Sequence, residues 1–388
     1  MASVTVQNVV KYYEITTLLG GVQERPALDH VSLSVDEGET MSIVGPSGCG
    51  KSTLLKVVAG LEYPTEGRVL YNGHDVTDVK PQHRGVGMVF QDYALYPTRE
   101  GEGNLSYYFE VRKRTEEERE QRVRETAELM GVGFELLLGR MPDTLSGGEK
   151  QRVGIARCIV RDPHVFLMDE PISNLDAKLR ERTRTEIKRL LHKFQITTLY
   201  VTHDQQEAIF MGDRIAIMRE GRLEQVGTFD DLYYTPANLF VATFIGTPPI
   251  SLVPARVEDG ALIVERDPGP ATGREGQAGG GTRWPLPPAL AESLPPGPLR
   301  LGVRPEGWQV ALEGGAGALI PVSHVERLYT ERAAFLYGKL AGALISALVP
   351  LDCPETEAAC LTPDWERAYF FAAQGEVALH VPGAPEMF

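Results

Sequence analysis

The chain has 388 residues, with 39 Lys+Arg against 53 Asp+Glu and a formal net charge of −14. At about 100–200 residues per domain this length predicts two domains or three, and the acidic balance argues against a free nucleic-acid binder, whose affinity is built from cationic phosphate contacts. The longest apolar stretch, Leu340 to Leu351, is broken by Gly342, Ser346 and Pro350; it falls short of the roughly 18 residues a spanning helix needs, so no membrane crossing is expected.

The first residues contain no basic segment followed by an apolar one, so no secretory signal is predicted. Met41–Val44 reads as a buried strand. It runs directly into Gly45, Pro46, Ser47, Gly48, Cys49, Gly50, Lys51, Ser52 and Thr53, which match G-x-x-x-x-G-K-[ST], and then into the apolar helix carrying Leu54, Leu55, Val57 and Val58. Strand, loop and helix in that order are the context a phosphate loop requires. Its backbone N–H groups are expected to point at a nucleotide's phosphates, aided by the helix N-terminus. Lys51 would bridge the β- and γ-phosphates, and the Ser52 hydroxyl would sit on Mg²⁺.

Thr115 and Glu118 form a capping box opening a helical run that stops at Gly131. Leu145-Ser146-Gly147-Gly148-Glu149 precedes a helix running from Lys150 through Ala156 and reads as a second anion site. Within one chain that site is redundant. It is explained if two copies meet head to tail, each closing the other's nucleotide with Ser146 and Gly148. Val165–Met168 is a buried strand ending in Asp169-Glu170; since ligands of open α/β sheets bind outside the carboxyl ends of strands, Asp169 is placed to hold Mg²⁺ and Glu170 to orient or deprotonate a water. Leu175, Leu179, Ile187, Leu190, Leu191 and Phe194 recur at helical spacing. Another strand, Leu199–Val201, leads into Thr202-His203-Asp204, from which His203 would reach the γ-phosphate or the attacking water. The alternation of strands and helices predicts an open α/β sheet.

Composition shifts near residue 250: of 27 prolines, 16 lie beyond it, and the only lysine there is Lys339. Short strand-like pieces such as Ala261–Val264, Arg300–Val303 and Glu376–Val381 predict a small antiparallel β domain. Asp267 to Thr282 is rich in Gly and Pro and reads as a surface loop. The four cysteines, Cys49, Cys158, Cys353 and Cys360, form no CxxC pair and read as reduced thiols of a cytoplasmic protein.

A single phosphate loop is compatible with kinases, GTPases and motor ATPases, so the remaining motifs decide. Gly45–Thr53, Gln91, Leu145–Glu149, Asp169-Glu170, Ser173–Asp176 and His203, in that order, resemble the nucleotide-binding subunit of ATP-binding-cassette (ABC) transporters over about residues 1–246. The resemblance implies a P-loop NTPase cassette, a RecA-like core plus a helical subdomain at about 95–163. It implies that Tyr13, more than Tyr12, stacks on adenine and that Gln91 reaches Mg²⁺ while hinging the helical subdomain. It also implies that Ser173, Asn174 and Asp176 touch the opposite protomer. Gln91–Pro97, Pro236–Val241 and Phe244–Gly246 are most similar to importers of the carbohydrate, maltose-like class. Leu301–Glu306 resembles part of the OB-like β domain that follows the cassette there, here residues 247–388, for which a regulatory or dimer-stabilising role is expected.

What this implies is a peripheral ATPase on the cytoplasmic face of the inner membrane, using ATP and Mg²⁺. It would work as a homodimer or with a homologous ATPase subunit, on integral permease subunits, and indirectly on an extracytoplasmic solute-binding protein. Polyamine, inorganic anion or metal import are alternatives to sugar. A soluble ABC ATPase of translation or chromosome maintenance is disfavoured by the absence of a second cassette or a long coiled coil. Residues 251–388 carry 10 Lys+Arg and 17 Asp+Glu, which opposes an oligonucleotide role for the OB-like part. Two departures stand out. Glu14 to Arg25 reads as an extended hairpin tip, and Gly101 stands where relatives carry an apolar residue. Tyr93, Ala94, Leu95 and Tyr96 are candidates for lining the groove that receives the membrane partner.

Overall fold

The computed structural model describes residues 1–16, 22–264, 281–312 and 317–382. They form two compact units, Met1–Phe229 and Asp230–Phe388. Among them no helix is long and apolar enough to cross a membrane.

The first unit opens with β1 (Val4–Thr16) and β2 (Val22–Val35), antiparallel from Val4 opposite Val35 to Thr16 opposite Val22. This is the hairpin expected around Glu14–Arg25; residues 17–21 lie outside the described ones. β3 (Thr40–Val44) leads into α1 (Lys51–Ala59), and β4 (Glu66–Tyr71) with β5 (His74–Asp75) extends the hairpin into a four-stranded antiparallel sheet. After β6 (Val86–Val89) come α2 (Gly101–Val111), α3 (Glu116–Met130), α4 (Glu135–Leu138) and α5 (Gly147–Ile159). Thr115 caps α3 by accepting from the Glu118 N–H, and Gly131 ends it, as the sequence pattern predicts. The unit continues with β7 (Val165–Asp169), α6 (Ala177–Phe194), β8 (Thr197–Thr202), α7 (Gln205–Met211), β9 (Arg214–Arg219) and β10 (Arg222–Gly227).

The central sheet has the order β10-β9-β3-β8-β7-β6. All neighbours are parallel except β10, which pairs antiparallel with β9. Because strand side chains alternate between faces, Met41, Ile43, Leu167 and Val201 enter one core with α1 and the antiparallel sheet. Phe166, Met168 and Tyr200 enter another with the helices. Burial on both faces is why these strands read as short continuous apolar runs.

The second unit contains α8 (Phe229–Tyr234) and α9 (Leu239–Phe244), then β11 (Ser251–Glu258), β12 (Ala261–Val264), β13 (Thr282–Pro285), α10 (Pro288–Ser293) and β14 (Gly297–Val303). It ends with β15 (Trp308–Ala311), β16 (Ala318–Leu328), β17 (Ala333–Leu340), β18 (Ala343–Val349), β19 (Ala358–Pro363), β20 (Ala368–Ala372) and β21 (Ala378–His380). These make two antiparallel sheets, β13-β12-β11-β14-β20-β21 and β15-β19-β16-β17-β18, over a core that includes Val253, Leu301, Trp308, Leu336 and Phe370. The expected loop at Asp267–Thr282 lies outside the described residues up to residue 280. Composition shifts near residue 250 and the family resemblance ends at about residue 246, whereas packing divides the chain before Asp230. Arg304, whose buried guanidinium donates to the Tyr233 carbonyl at 2.7 and 3.0 Å and to the Ile245 carbonyl at 2.7 Å, fastens the α8–α9 segment to the β unit, together with the packing of Leu239 and Ala242 on Tyr369 and Phe371.

Candidate active site

Parallel register brings the chemistry to one edge of the sheet. Val44 lies opposite Thr202, Asp169 opposite Val201 and Val89 opposite Met168, so β3, β8, β7 and β6 all finish at nearly the same level. The segments that follow are the phosphate loop, His203, Glu170 and Gln91.

The loop around Gly45–Gly50 is shaped by close approach. A Cβ on Gly45 would stand 2.1 Å from the Met218 carbonyl oxygen, and one on Gly50 2.3 Å from that of Ala27, with Gly50 at φ +107°. Only glycine fits there. Gly50 offers no side chain to the first turn of α1, so the N-terminal amides of this nine-residue helix remain available to an anion. Lys51 is buried and its ammonium donates to the Gly45 carbonyl at 2.8 Å and the Pro46 carbonyl at 3.1 Å. Burial pushes the neighbouring Cys49 thiol up, opposed in part by the Lys51 ammonium.

One turn into α1, Ser52 Oγ donates to Asp169 Oδ1 at 2.9 Å. Burial raises the Asp169 carboxyl and the Ser52 hydrogen bond partly offsets it. Glu170 follows at φ +46°, a left-handed conformation that costs a branched-free residue of this size about 1 kcal/mol or more. It is held there by its N–H on the Val201 carbonyl at 2.9 Å and by Ser173, whose hydroxyl donates to the Glu170 carbonyl at 3.0 Å. The turn aims the Glu170 carboxylate at His203, with Nδ1 3.1 Å from Oε2. Lys51, Ser52, Asp169, Glu170 and His203 are therefore neighbours.

The other expected residues occupy the margins. Gln91 is exposed, and its carbonyl accepts from Asn174 Nδ2 at 2.9 Å. Asp176 caps α6 by accepting from the Leu179 N–H at 3.0 Å. Ser146 caps α5 in a full capping box with Glu149, and Glu149 pairs with Arg140 at 2.9 Å. Gly147 and Gly148 admit Leu175 and Leu179, whose methyl groups would be 2.8 and 3.1 Å from an added Cβ. Among the described residues no hydrogen bond joins the Ser146–Gly148 turn to the phosphate loop of the same chain. Tyr12 and Tyr13 are exposed to nearly the same degree, 37% and 36%, and the Lys11 ammonium lies 5.4 Å from the Tyr13 ring centroid. The apolar stretch after Gln91 divides: Tyr93 is buried and Leu95 packs against the helical core, leaving Ala94 exposed and Tyr96 half-buried.

Two groups escaped the sequence reading. Arg157 on α5 binds the carbonyls of both Tyr93 and Ala94, and Glu207 on α7 lies buried against Tyr200 and Thr202. Their only signal is a charged residue within an apolar helical pattern.

A phosphate loop after a central parallel strand, with a carboxylate pair ending a strand one removed from it, defines a P-loop nucleoside triphosphatase. The ABC transporter family model matches residues 28–173. The chain is 44% identical over 317 residues to the sn-glycerol-3-phosphate import ATP-binding protein UgpC of Roseobacter denitrificans, covering 81% of this chain and 82% of that one. It is 47% identical over 308 residues to the xylose/arabinose import ATP-binding protein XacK of Haloferax volcanii, covering 79% and 75%. With the trehalose/maltose import ATP-binding protein MalK of Thermococcus litoralis it shares 52% over 244 residues, 61% and 65% of the two chains. The fold matches the dimeric post-hydrolysis structure of the ATP-binding cassette MJ0796 bound to ADP and Pi, with TM-score 0.51 and 34% identity over 58% of this chain and 98% of that one. The chain belongs to the ABC transporter family, as an ATP-binding and ATP-hydrolysing subunit.

Proposed function

We propose that the chain is the engine of a solute importer, with two copies closing on ATP and opening after hydrolysis. The observation that carries this is the level ending of β3, β7 and β8, which gathers a polyphosphate cradle, a hydroxyl–carboxylate pair and a carboxylate–imidazole pair. Lys51 and the α1 amides bind and neutralise the phosphates. Ser52 and Asp169 are hard-oxygen donors that would hold Mg²⁺, with Gln91 as a further oxygen donor. No cluster of three or more His, Cys, Asp or Glu among the described residues would hold a metal unaided. When bound, Mg²⁺ would supply charge neutralisation for the transferring phosphoryl group. Glu170 orients the attacking water and draws its proton, and His203 fixes Glu170 while reaching the γ-phosphate. Phosphoryl transfer asks for little more than such positioning and charge.

The Ser146-Gly147-Gly148 turn is read as closing the nucleotide of the opposite copy, with Ser173, Asn174 and Asp176 at the same junction and Tyr13 on the adenine. A dimeric relative of the same fold supports that reading. So does a turn whose hydrogen bonds run to Glu149 rather than to its own phosphate loop. The second unit is read as OB-like and regulatory. Movement passes to integral permease subunits, making the chain peripheral on the cytoplasmic face. Relatives named for glycerol 3-phosphate, xylose/arabinose and trehalose/maltose import favour a polyhydroxylated, sugar-like solute. Purification of the tagged full chain from its own membranes tests this: it should bring membrane-spanning permease subunits with it, and elution free of any membrane protein under conditions that retain ATPase activity would contradict it.

A further inference from the structure

His203 lies between two residues whose bonds close a ring beneath it. The Asp204 N–H donates to Thr202 Oγ1 at 3.0 Å, and the Thr202 hydroxyl donates to Glu207 Oε2 at 3.0 Å. The Glu207 N–H donates in turn to Asp204 Oδ1 at 3.1 Å, capping α7. The other carboxylate oxygen, Oε1, accepts from the Tyr200 hydroxyl. Tyr200 sits two residues before Thr202 on the same face of β8, in the middle of the parallel sheet between β3 and β7. Glu207, Thr202 and Tyr200 are 4%, 1% and 0% exposed, whereas the His203 side chain is half open to solvent.

A carboxylate this buried is costly unless every lone pair finds a donor. Nothing in α7 packing requires one, since Ala208 and Met211 supply its apolar contacts. The acid is explained by its hydrogen bonds, since it is the acceptor for the buried Tyr200 and Thr202 hydroxyls. Both hydroxyls it holds belong to β8, which ends at Thr202, one residue before His203. Removing Oε2 frees the Thr202 hydroxyl from α7 while the backbone bonds of β8 and the Glu207 N–H bond to Asp204 stay in place.

We propose that Glu207 is a positioning residue for hydrolysis: it locks the Thr202–Asp204 turn to the sheet and so holds the His203 imidazole at its 3.1 Å distance from Glu170. This rests on the reading of His203 as a participant in hydrolysis. It assigns to Glu207 no contact with nucleotide. The residue tunes geometry as an outer-shell partner does at a metal site, where loss typically costs 10–100-fold.

The test is steady-state ATPase of the full-length chain with Glu207→Gln, Thr202→Val, His203→Ala and the Glu207→Gln/His203→Ala pair, alongside ATP titration calorimetry. Glu207→Gln keeps shape and reverses one hydrogen bond. Thr202→Val is isosteric and removes the link from the other end, so a folding failure in one variant leaves the other informative. The expected result is a kcat lowered about 10-fold in each, an ATP Kd within about twofold of wild type, and no further loss when Glu207→Gln is added to His203→Ala. A normal kcat in both Glu207→Gln and Thr202→Val, or a full multiplicative loss in the double variant, overturns the positioning role while leaving that of His203 intact. Unimpaired hydrolysis by His203→Ala overturns both.

Discussion

The Arg157 guanidinium reaches from α5 to the Tyr93 carbonyl at 3.1 Å, and its other terminal nitrogen takes the carbonyl of Ala94. Tyr93 and Ala94 are consecutive left-handed residues, at φ 62° and 44°. Non-glycine residues adopt that conformation at a cost, and the buried arginine offsets it while fixing where the chain emerges after Gln91. The helix that follows the Ser146–Gly148 turn thereby holds the Gln91 segment.

Arg157→Ala leaves the buried Tyr93 carbonyl short of a donor and takes the partner of the half-buried Ala94 carbonyl as well. It should lower stability by about 3 kcal/mol, read as a shift in denaturant midpoint. Arg157→Lys recovers little, because one ammonium lacks the planar fork that spans two acceptors. A wild-type midpoint for the alanine variant would contradict the clamp.

Gly101 opens α2, and its N–H donates to the Arg140 carbonyl at 2.9 Å. A Cβ there would stand 2.3 Å from the Leu137 carbonyl oxygen. Helix propensity alone makes Gly→Ala favourable by about 0.5–1 kcal/mol, whereas forcing atoms into a packed contact costs about 1–3 kcal/mol. Sterics should win, so Gly101→Ala is expected to lower the thermal midpoint and Gly101→Val to lower it further. A stabilised alanine variant would refute the close approach. This also explains why an apolar residue is missing at 101: α4 has taken the space.

Glu149 accepts from the Ser146 N–H at 2.7 Å. That hydrogen bond, with a smaller contribution from Arg140, holds its carboxyl below the usual carboxylate range. A folded-state value depressed below the unfolded one adds stability that is present above the unfolded pKa and lost as pH falls through the folded one. The advantage of wild type over Glu149→Gln in thermal unfolding should therefore be constant near neutrality, start to fall as pH drops through the ordinary Glu value of about 4.3, and be gone only once pH lies below the depressed folded-state value. A difference that persists at lower pH would show that the charge is not its source.

Lys51→Ala removes the one ammonium buried in the phosphate loop. Its expected effect is loss of measurable ATP binding in titration calorimetry, since charge-assisted bonds to phosphate are the strongest in the site. An unchanged binding isotherm would dismiss Lys51 as a phosphate ligand.

The legible part of the site is that written in contiguous residues. Gly45–Thr53, Asp169-Glu170 and Thr202–Asp204 each follow a short apolar strand, and parallel register brings their ends level. What stayed hidden depends on contacts between distant residues. Nothing near Tyr93 announces that Arg157 will pin it, and an apolar stretch reads the same whether it lines a groove or, like Tyr93 and Leu95, enters a core. Arg304 lies far from Tyr233 and Ile245, so composition divides the chain later than packing does. Glu207 was visible only as an acid on a half-apolar helix.

The most direct measurement is size-exclusion chromatography of Glu170→Gln with Mg-ATP. Glutamine keeps the ligand contacts of the site but cannot draw a proton from water, so the variant should accumulate as an ATP-bound dimer with negligible turnover. A monomeric elution with ATP bound, or hydrolysis at the wild-type rate, would contradict the account of a nucleotide enclosed by two copies and cleaved with Glu170 as base.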